Sequence, residues 1–177
     1  IELRPAGVSH RDSFGHWEMD SVVGKNKGKR QSLLVLTERF TRYEIIVHQP
    51  DKTAKSTVNA LNKLIRQFPD GVFRTITVDN GSEFADSKGI EFSPDGSRRL
   101  YAYYCHPYTS CERGSNENAN KIIRRFFPKG KSLEKCTSKD CKRVMAYMNN
   151  LPRKVLGYRT AAELFQSCLD ALPPKKF

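Results

Sequence analysis

The chain has no apolar run longer than a handful of residues. It therefore holds no segment able to cross a bilayer as a helix, which takes about 20. Its first ten residues, Ile1 to His10, are mixed in character and include Pro5 and Gly7. That is not the composition of a secretory leader, and it argues against a helix there. No initiator methionine is present, and the chain opens as if mid-phrase, as a piece of a longer protein does. Cysteine is sparse: Cys105, Cys111, Cys136, Cys141 and Cys168, an odd number at irregular spacing. This excludes a disulfide framework. No second Cys or His pair joins Cys136 and Cys141 to complete a zinc site. Reduced thiols and the absence of a leader point to the cytoplasm. Repeats and low-complexity tracts are missing too.

Acidic charge is short relative to basic charge. The 177 residues carry 31 Lys and Arg against 19 Asp and Glu, a net charge of +12. Such a balance suggests a polyanionic partner, most often nucleic acid. The excess is uneven: residues 1–110 have a net charge of +3 and residues 111–177 of +9. A basic C-terminal third follows a nearly neutral body, within a length suited to one domain.

Residues 15–24 alternate as a strand does, with Trp17, Met19, Ser21 and Val23 on one face and Glu18, Asp20 and Val22 on the other. The basic turn KNKGKR leads to a second strand over Ser32–Glu38 and then a third over Tyr43–His48. Short connections make these three an antiparallel meander. Thr53 is placed to cap a helix over Ala54–Phe68, stopped by Pro69, Asp70 and Gly71. The apolar run Thr75–Val78 then completes a crossover, which implies parallel pairing. A short helix is expected over Ser82–Ser87, a strand over Leu100–Cys105, and helices over 115–127, 138–150 and 160–169. This order gives an α/β domain with a mixed five-stranded sheet: residues 1–14 an irregular lead-in, 15–170 the core, 171–177 a tail.

A basic protein that handles phosphodiesters usually needs magnesium, and magnesium takes oxygen ligands, chiefly carboxylates on rigid elements. Three carboxylates sit where such a site could form. Asp20 lies mid-strand, Asp79 follows the strand TITV, and Glu117 falls in the first turn of the helix after the last strand. Each has a plainer explanation: a solvated strand residue, an Asp-Asn-Gly turn, an acid complementing a helix dipole. Glu18, on the same strand face as Asp20, competes for the first position. Glu83, four residues past Asp79, could support the site from behind. Asn116, Asn118 and Asn120 crowd around Glu117, and three residues of mediocre helix propensity in so short a span suggest hydrogen-bonding work. Lys121, Arg124 and Arg125 share the polar side of that helix, where cations suit neighbouring phosphates.

The segments GHWEMD, VDNGSEF, CHPYTSCERGSNENANKIIRRFFPKG and PRKVLGYRTAAELF, spread over residues 15–165, resemble the catalytic core of DDE transposases and retroviral-type integrases, specifically the bacterial insertion sequence 30 family. The resemblance implies a ribonuclease H-like fold. It implies that Asp20, Asp79 and Glu117 are the catalytic, metal-binding triad, holding Mg2+ or Mn2+, two ions when DNA is bound. The implied activity is 3′-end cleavage of a mobile element followed by strand transfer into target DNA. Arg113, Lys121, Arg124 and Arg125 then contact DNA, and Asn80, Glu83 and Asn116 support the triad. DNA is the partner, with no membrane involved, and the full-length enzyme works as a homo-oligomer. A nuclease without strand transfer, or a non-catalytic DNA-binding remnant, would use the same residues otherwise. Two departures stand out. Asp79 and Glu117 are separated by 37 residues, more than the family usually has, with the surplus assigned to SPDGSRR at 93–99. No helix-turn-helix fits before residue 15, so sequence-specific binding of element ends is expected to be weak.

Overall fold

Strand β1 (His16–Val23) organises the sheet because it has a neighbour of each kind. It pairs antiparallel with β2 (Ser32–Glu38) on one side and parallel with β4 (Thr75–Val78) on the other. β3 (Glu44–Gln49) continues the meander beyond β2, and β5 (Tyr101–Tyr104) lies parallel to β4. The spatial order is β3-β2-β1-β4-β5, the mixed five-stranded sheet expected from the sequence. This computed structural model describes residues 1–24, 31–106 and 114–173, excluding the side chains of Ala6 and residues 114–117.

Helices cover both faces, so every residue of β2 is buried and its sequence SLLVLTE reads as a near-continuous apolar run. One face carries Trp17, Met19, Leu34, Leu36, Ile76 and Val78. It packs against Leu61 and Leu64 of α2 (Ala54–Ile65), Ile90 of α3 (Ser87–Glu91) and Phe165 of α6 (Ala161–Asp170). Trp17 stacks on Phe73 with centroids 4.8 Å apart and donates from Nε1 to the Val72 carbonyl at 2.7 Å. Its one polar atom is thereby satisfied inside the core. The opposite face presents Val22, Leu33, Val35 and Ile46 to Ala119 and Ile123 of α4 (Gly114–Phe126) and to Cys141, Val144 and Met148 of α5 (Ser138–Asn149).

Local chemistry sets the helix boundaries. The Thr53 hydroxyl accepts from the Ser56 N–H, and reciprocal caps of Thr137 with Asp140 and Thr160 with Glu163 open α5 and α6. α2 ends at Ile65, short of the Phe68 expected, because the Gln67 and Phe68 N–H groups bond three residues back in a tightening last turn. The helix expected over Ser82–Ser87 is split. A 3₁₀ turn covers Ser82–Phe84, and α3 starts afresh at Ser87 because the Asp86 carboxylate accepts from the Gly89 N–H as a new cap. The lead-in is not wholly irregular: a short helix, α1 (Ala6–His10), follows Pro5. Proline is tolerated at a helix start, where its missing N–H needs no partner, so it did not exclude a helix just after it. The surplus SPDGSRR stretch closes on itself: Phe92 bridges Arg98, the Ser93 N–H bonds the Ser97 carbonyl, and Gly96 turns at φ 85°. The four described cysteines are free thiols. No described helix is long and apolar enough to cross a membrane.

Glu44 is the costliest side chain in this sheet. It is fully buried beneath Asn149, whose side-chain carbonyl and amide bond the Glu44 backbone N–H and C=O. Burial pushes its carboxyl up to about 8, despite the Thr37 hydroxyl donating to it. The folded chain therefore holds this proton over a range where the unfolded chain, near the ordinary 4.5, has released it. Stability from this group is complete below the ordinary value and is lost as pH rises through about 8. Replacement by glutamine removes the penalty. Urea denaturation of Glu44→Gln is expected to show a gain of about 3 kcal/mol near pH 7, shrinking to nothing near pH 4. An equal effect at both pH values would mean that the carboxyl is ionised in the fold.

Candidate active site

The two aspartates are neighbours by register. The parallel ladder pairs Trp17 with Ile76 and Glu18 with Thr77. Continued two residues, it sets Asp20, in the middle of β1, beside Asp79, just past the carboxyl end of the parallel strand β4. That is where open α/β sheets keep their ligands. Both face the α4/α5 side, since Met19 and Val78 between them point into the opposite core.

Each carboxylate is oriented by backbone and side-chain donors. Asp20 accepts from the Ser21 N–H at 2.8 Å and from the Asn120 amide of α4 at 2.7 Å. Asp79 accepts from the Gly81 N–H at 2.9 Å, and the Asn80 amide donates to the Cys105 carbonyl, tying the loop after β4 to the end of β5. Gly81 is small for a reason. A Cβ there would lie 2.6 Å from Glu83 Oε2 and 2.9 Å from Asp79 Oδ1, so the two carboxylates close over the glycine from either side. Glu83 is 3% exposed and is held by Lys52, Nζ to Oε1 at 3.0 Å.

α4 packs on β1 and β2. Position 117 lies in its first turn, three residues before Asn120, on the helix face that meets Asp20. The side chains of Glu117 and Asn116 lie outside the described residues, as does Arg113 altogether. Arg124, one turn beyond Asn120, is half-buried and donates to the Val23 carbonyl at 2.8 Å. Burial lowers its pKa, and the Asp20 charge works against that fall. Lys121 and Arg125 are exposed.

Glu18, the rival to Asp20, is committed elsewhere. It is fully buried and ion-paired with Arg39, with Arg11 at 3.7 Å. A strand face alone cannot separate two acids two residues apart; their partners do. Asn120 was visible only as one of three crowded asparagines, and its bond to Asp20 spans 100 residues. Lys52 carried no sequence signal.

Residues 10–113 match the family described as integrase core domain. This chain belongs to the integrase core domain family. The match spans Asp20 and Asp79 and stops short of Glu117. The chain is 37% identical over 166 residues to the probable transposase for insertion-like sequence element IS1161 of Streptococcus salivarius, covering 94% of this chain and 46% of that protein. It is 35% identical over 166 residues to transposase InsI for insertion sequence element IS30A of Escherichia coli strain K12, covering 94% and 42%. The resemblance to the insertion sequence 30 transposases is thereby borne out. The chain spans about half the length, or less, of these curated relatives. Among solved structures, the HTLV-2 integrase catalytic core domain in complex with magnesium superposes with a TM-score of 0.60 at 20% identity, covering 84% of this chain and 93% of that one. The fold is therefore ribonuclease H-like.

Two buried oxygens fit a cation-binding role for this integrase core. Glu83 Oε2 and Asn120 Oδ1 have no hydrogen-bond partner among the described residues. One borders Asp79 across Gly81, and the other belongs to the amide that holds Asp20. Oxygen acceptors beside paired carboxylates suit a hydrated hard cation, whose waters are donors.

Proposed function

We propose that this chain is the catalytic core of an insertion-sequence transposase, which cuts DNA to a 3′ end and joins that end to a second duplex. The observation that carries the reading is the adjacency of Asp20, mid-way along β1, and Asp79, just past the end of β4, under the first turns of α4. Asp20, Asp79 and Glu117 are the proposed ligands of Mg2+ or Mn2+. When bound, the metal lowers the pKa of the attacking water or 3′ hydroxyl and offsets charge on the leaving oxygen.

The chain's own residues supply placement. The Ser21 N–H and the Asn120 amide orient Asp20, and the Gly81 N–H orients Asp79; fixed carboxylates help to keep the reacting phosphate in line. Exposed Lys121 and Arg125 sit on α4 where flanking phosphates can reach them. Such contacts position DNA without reading its sequence. Bringing two element ends together calls for at least a dimer of the full-length protein, and we extend the proposal to that homo-oligomer.

The test is a joining assay with a pre-cut donor duplex, a labelled target plasmid and Mg2+. Donor covalently linked to target supports the reading. Nicking without joining leaves a nuclease of the same fold. No metal-dependent product at all contradicts both.

Gly81→Ala probes the crowding at the site directly. The Gly81 φ of −63° suits any residue, so the backbone should tolerate alanine. The added methyl must instead displace Glu83 or Asp79. Joining activity is expected to fall at least about tenfold, as sub-ångström misplacement of reacting groups does, with a thermal midpoint within a few degrees of the parent's. Unchanged activity would show that Asp79 need not stay where Gly81 holds it.

A further inference from the structure

Two residues back along β1 from Asp20, on the same sheet face, lies a constellation of opposite sign. The register aligns Glu18, Thr37 and Glu44 in one cross-strand row, next to the row of Asp20, Val35 and Ile46. Rows two residues apart are about 7 Å apart along a strand. Thr37 and Glu44 floor a cavity of about 280 Å³, and Arg11, Arg42 and Arg153 converge on it beside Asn118 of α4. We propose that this cavity is a subsite for a backbone phosphate of bound DNA, with Arg11 and Arg153 as its ligands. This rests on the DNA-processing reading above.

The charges leave the cavity positive. Among the described residues, Glu44 is the one carboxylate in its lining, and with its carboxyl raised to about 8 it is largely uncharged at neutral pH. Glu18, the other acid in the row, is shared between Arg39 and Arg11, the latter at 3.7 Å, so one carboxylate is set against several guanidinium groups. Burial first, and then the neighbouring charges of Arg11 and Arg153, lower the Arg42 pKa, while Glu18 and Glu38 work against that fall; the cations are near enough to act on one another. Mutual repulsion of this kind is relieved by an anion, and the guanidinium fork matches phosphate oxygens two at a time.

The backbone is committed to the arrangement as well. Arg11 caps the end of α1 at φ 58° and Arg42 turns the β2–β3 connection at φ 62°, and these two left-handed positions bring both side chains to one wall of the cavity. Arg153 is steadied by donating to the Met148 carbonyl at 3.2 Å. The cavity is also open to a polymer. It shares Arg11, Arg42 and Val155 with a second cavity of about 390 Å³, so the arginines wall a groove rather than a closed pit.

The experiment measures binding of the whole chain to a duplex by fluorescence anisotropy across a salt series. Arg11→Gln and Arg153→Gln are compared with the parent and with Arg143→Gln, an exposed α5 arginine outside the groove. Thermal melts identify any variant that fails to fold. Each groove variant is expected to bind about five- to tenfold more weakly and to lower the slope of log affinity against log salt by about one, while Arg143→Gln moves the slope less. Neutral methylphosphonates scanned along the duplex give an independent readout on the unaltered chain. One position should weaken parental binding, and that penalty should vanish in Arg153→Gln.

Equal slopes for all three variants, or no position-specific penalty, overturn the subsite while leaving the catalytic reading intact. Slopes that fall as expected without metal-dependent joining keep the subsite and remove the catalytic reading. Tighter binding of a polyglutamate peptide than of duplex, lost in both groove variants, would assign the groove to a carboxylate-bearing protein segment and overturn the proposal.

Discussion

Asp79→Asn should abolish metal-dependent cleavage and joining, a fall on the order of 10³-fold or more, while DNA affinity stays within about threefold. The substitution is close to isosteric. The asparagine carbonyl can still accept from the Gly81 N–H that now bonds Asp79 at 2.9 Å, so the loop after β4 keeps its path. What is lost is the negative charge. Asp20→Asn is a less clean experiment, because Asp20 accepts from both the Ser21 N–H and the Asn120 amide through its two oxygens. An asparagine must turn its NH2 toward one of those donors and so disturbs α4 as well. The expected contrast is that Asp79→Asn melts with the parent, whereas Asp20→Asn loses activity and some stability together. Turnover by Asp79→Asn within about tenfold of the parent would remove this carboxylate from the chemistry.

The largest expected loss of stability belongs to Arg39, away from the chemistry. Its guanidinium pairs with fully buried Glu18 and donates from Nε to the Val8 carbonyl at 2.9 Å. It therefore pins α1 to the end of β1 as well. Burial, with smaller contributions from the charges of Arg4, Arg11 and Arg42, lowers the Arg39 pKa to about 10 against the pull of Glu18, which leaves it charged at neutral pH. Removing one member of a buried pair strands the other, at a cost of about 3–5 kcal/mol. Arg39→Met is expected to lose that much in urea denaturation. The double variant Glu18→Met/Arg39→Met should recover most of it, since two apolar side chains can replace a buried ion pair at little cost. A double variant as unstable as the sum of both single variants would show that the two residues do not act as a pair.

Local pattern accounts for what could be read in advance. Alternation places β1 and sorts its two faces, Thr53 announces α2, and the crossover from β3 through α2 to β4 implies parallel pairing; that β4 lies beside β1, and so Asp79 beside Asp20, comes from the sheet order. These features depend on neighbours in sequence. What escaped depends on neighbours in space. Glu18 and Asp20 are equivalent on a strand face until Arg39, 21 residues on, claims one of them. Asn120 reaches back 100 residues to its aspartate. The arginine groove joins residues 11, 42 and 153, which no spacing connects. Pro5 reads as a breaker in sequence yet stands at the start of α1, and Asp86 restarts a helix within 82–91 by capping Gly89, which composition does not distinguish from a continuous turn.

The most direct test of the paired-carboxylate site is an anomalous difference map from crystals of this chain grown with saturating manganese. A peak bridging Asp20 and Asp79, with the Glu117 carboxylate beside it, is the predicted result. Both aspartates well ordered with no peak between them, or manganese held by other side chains, would contradict it.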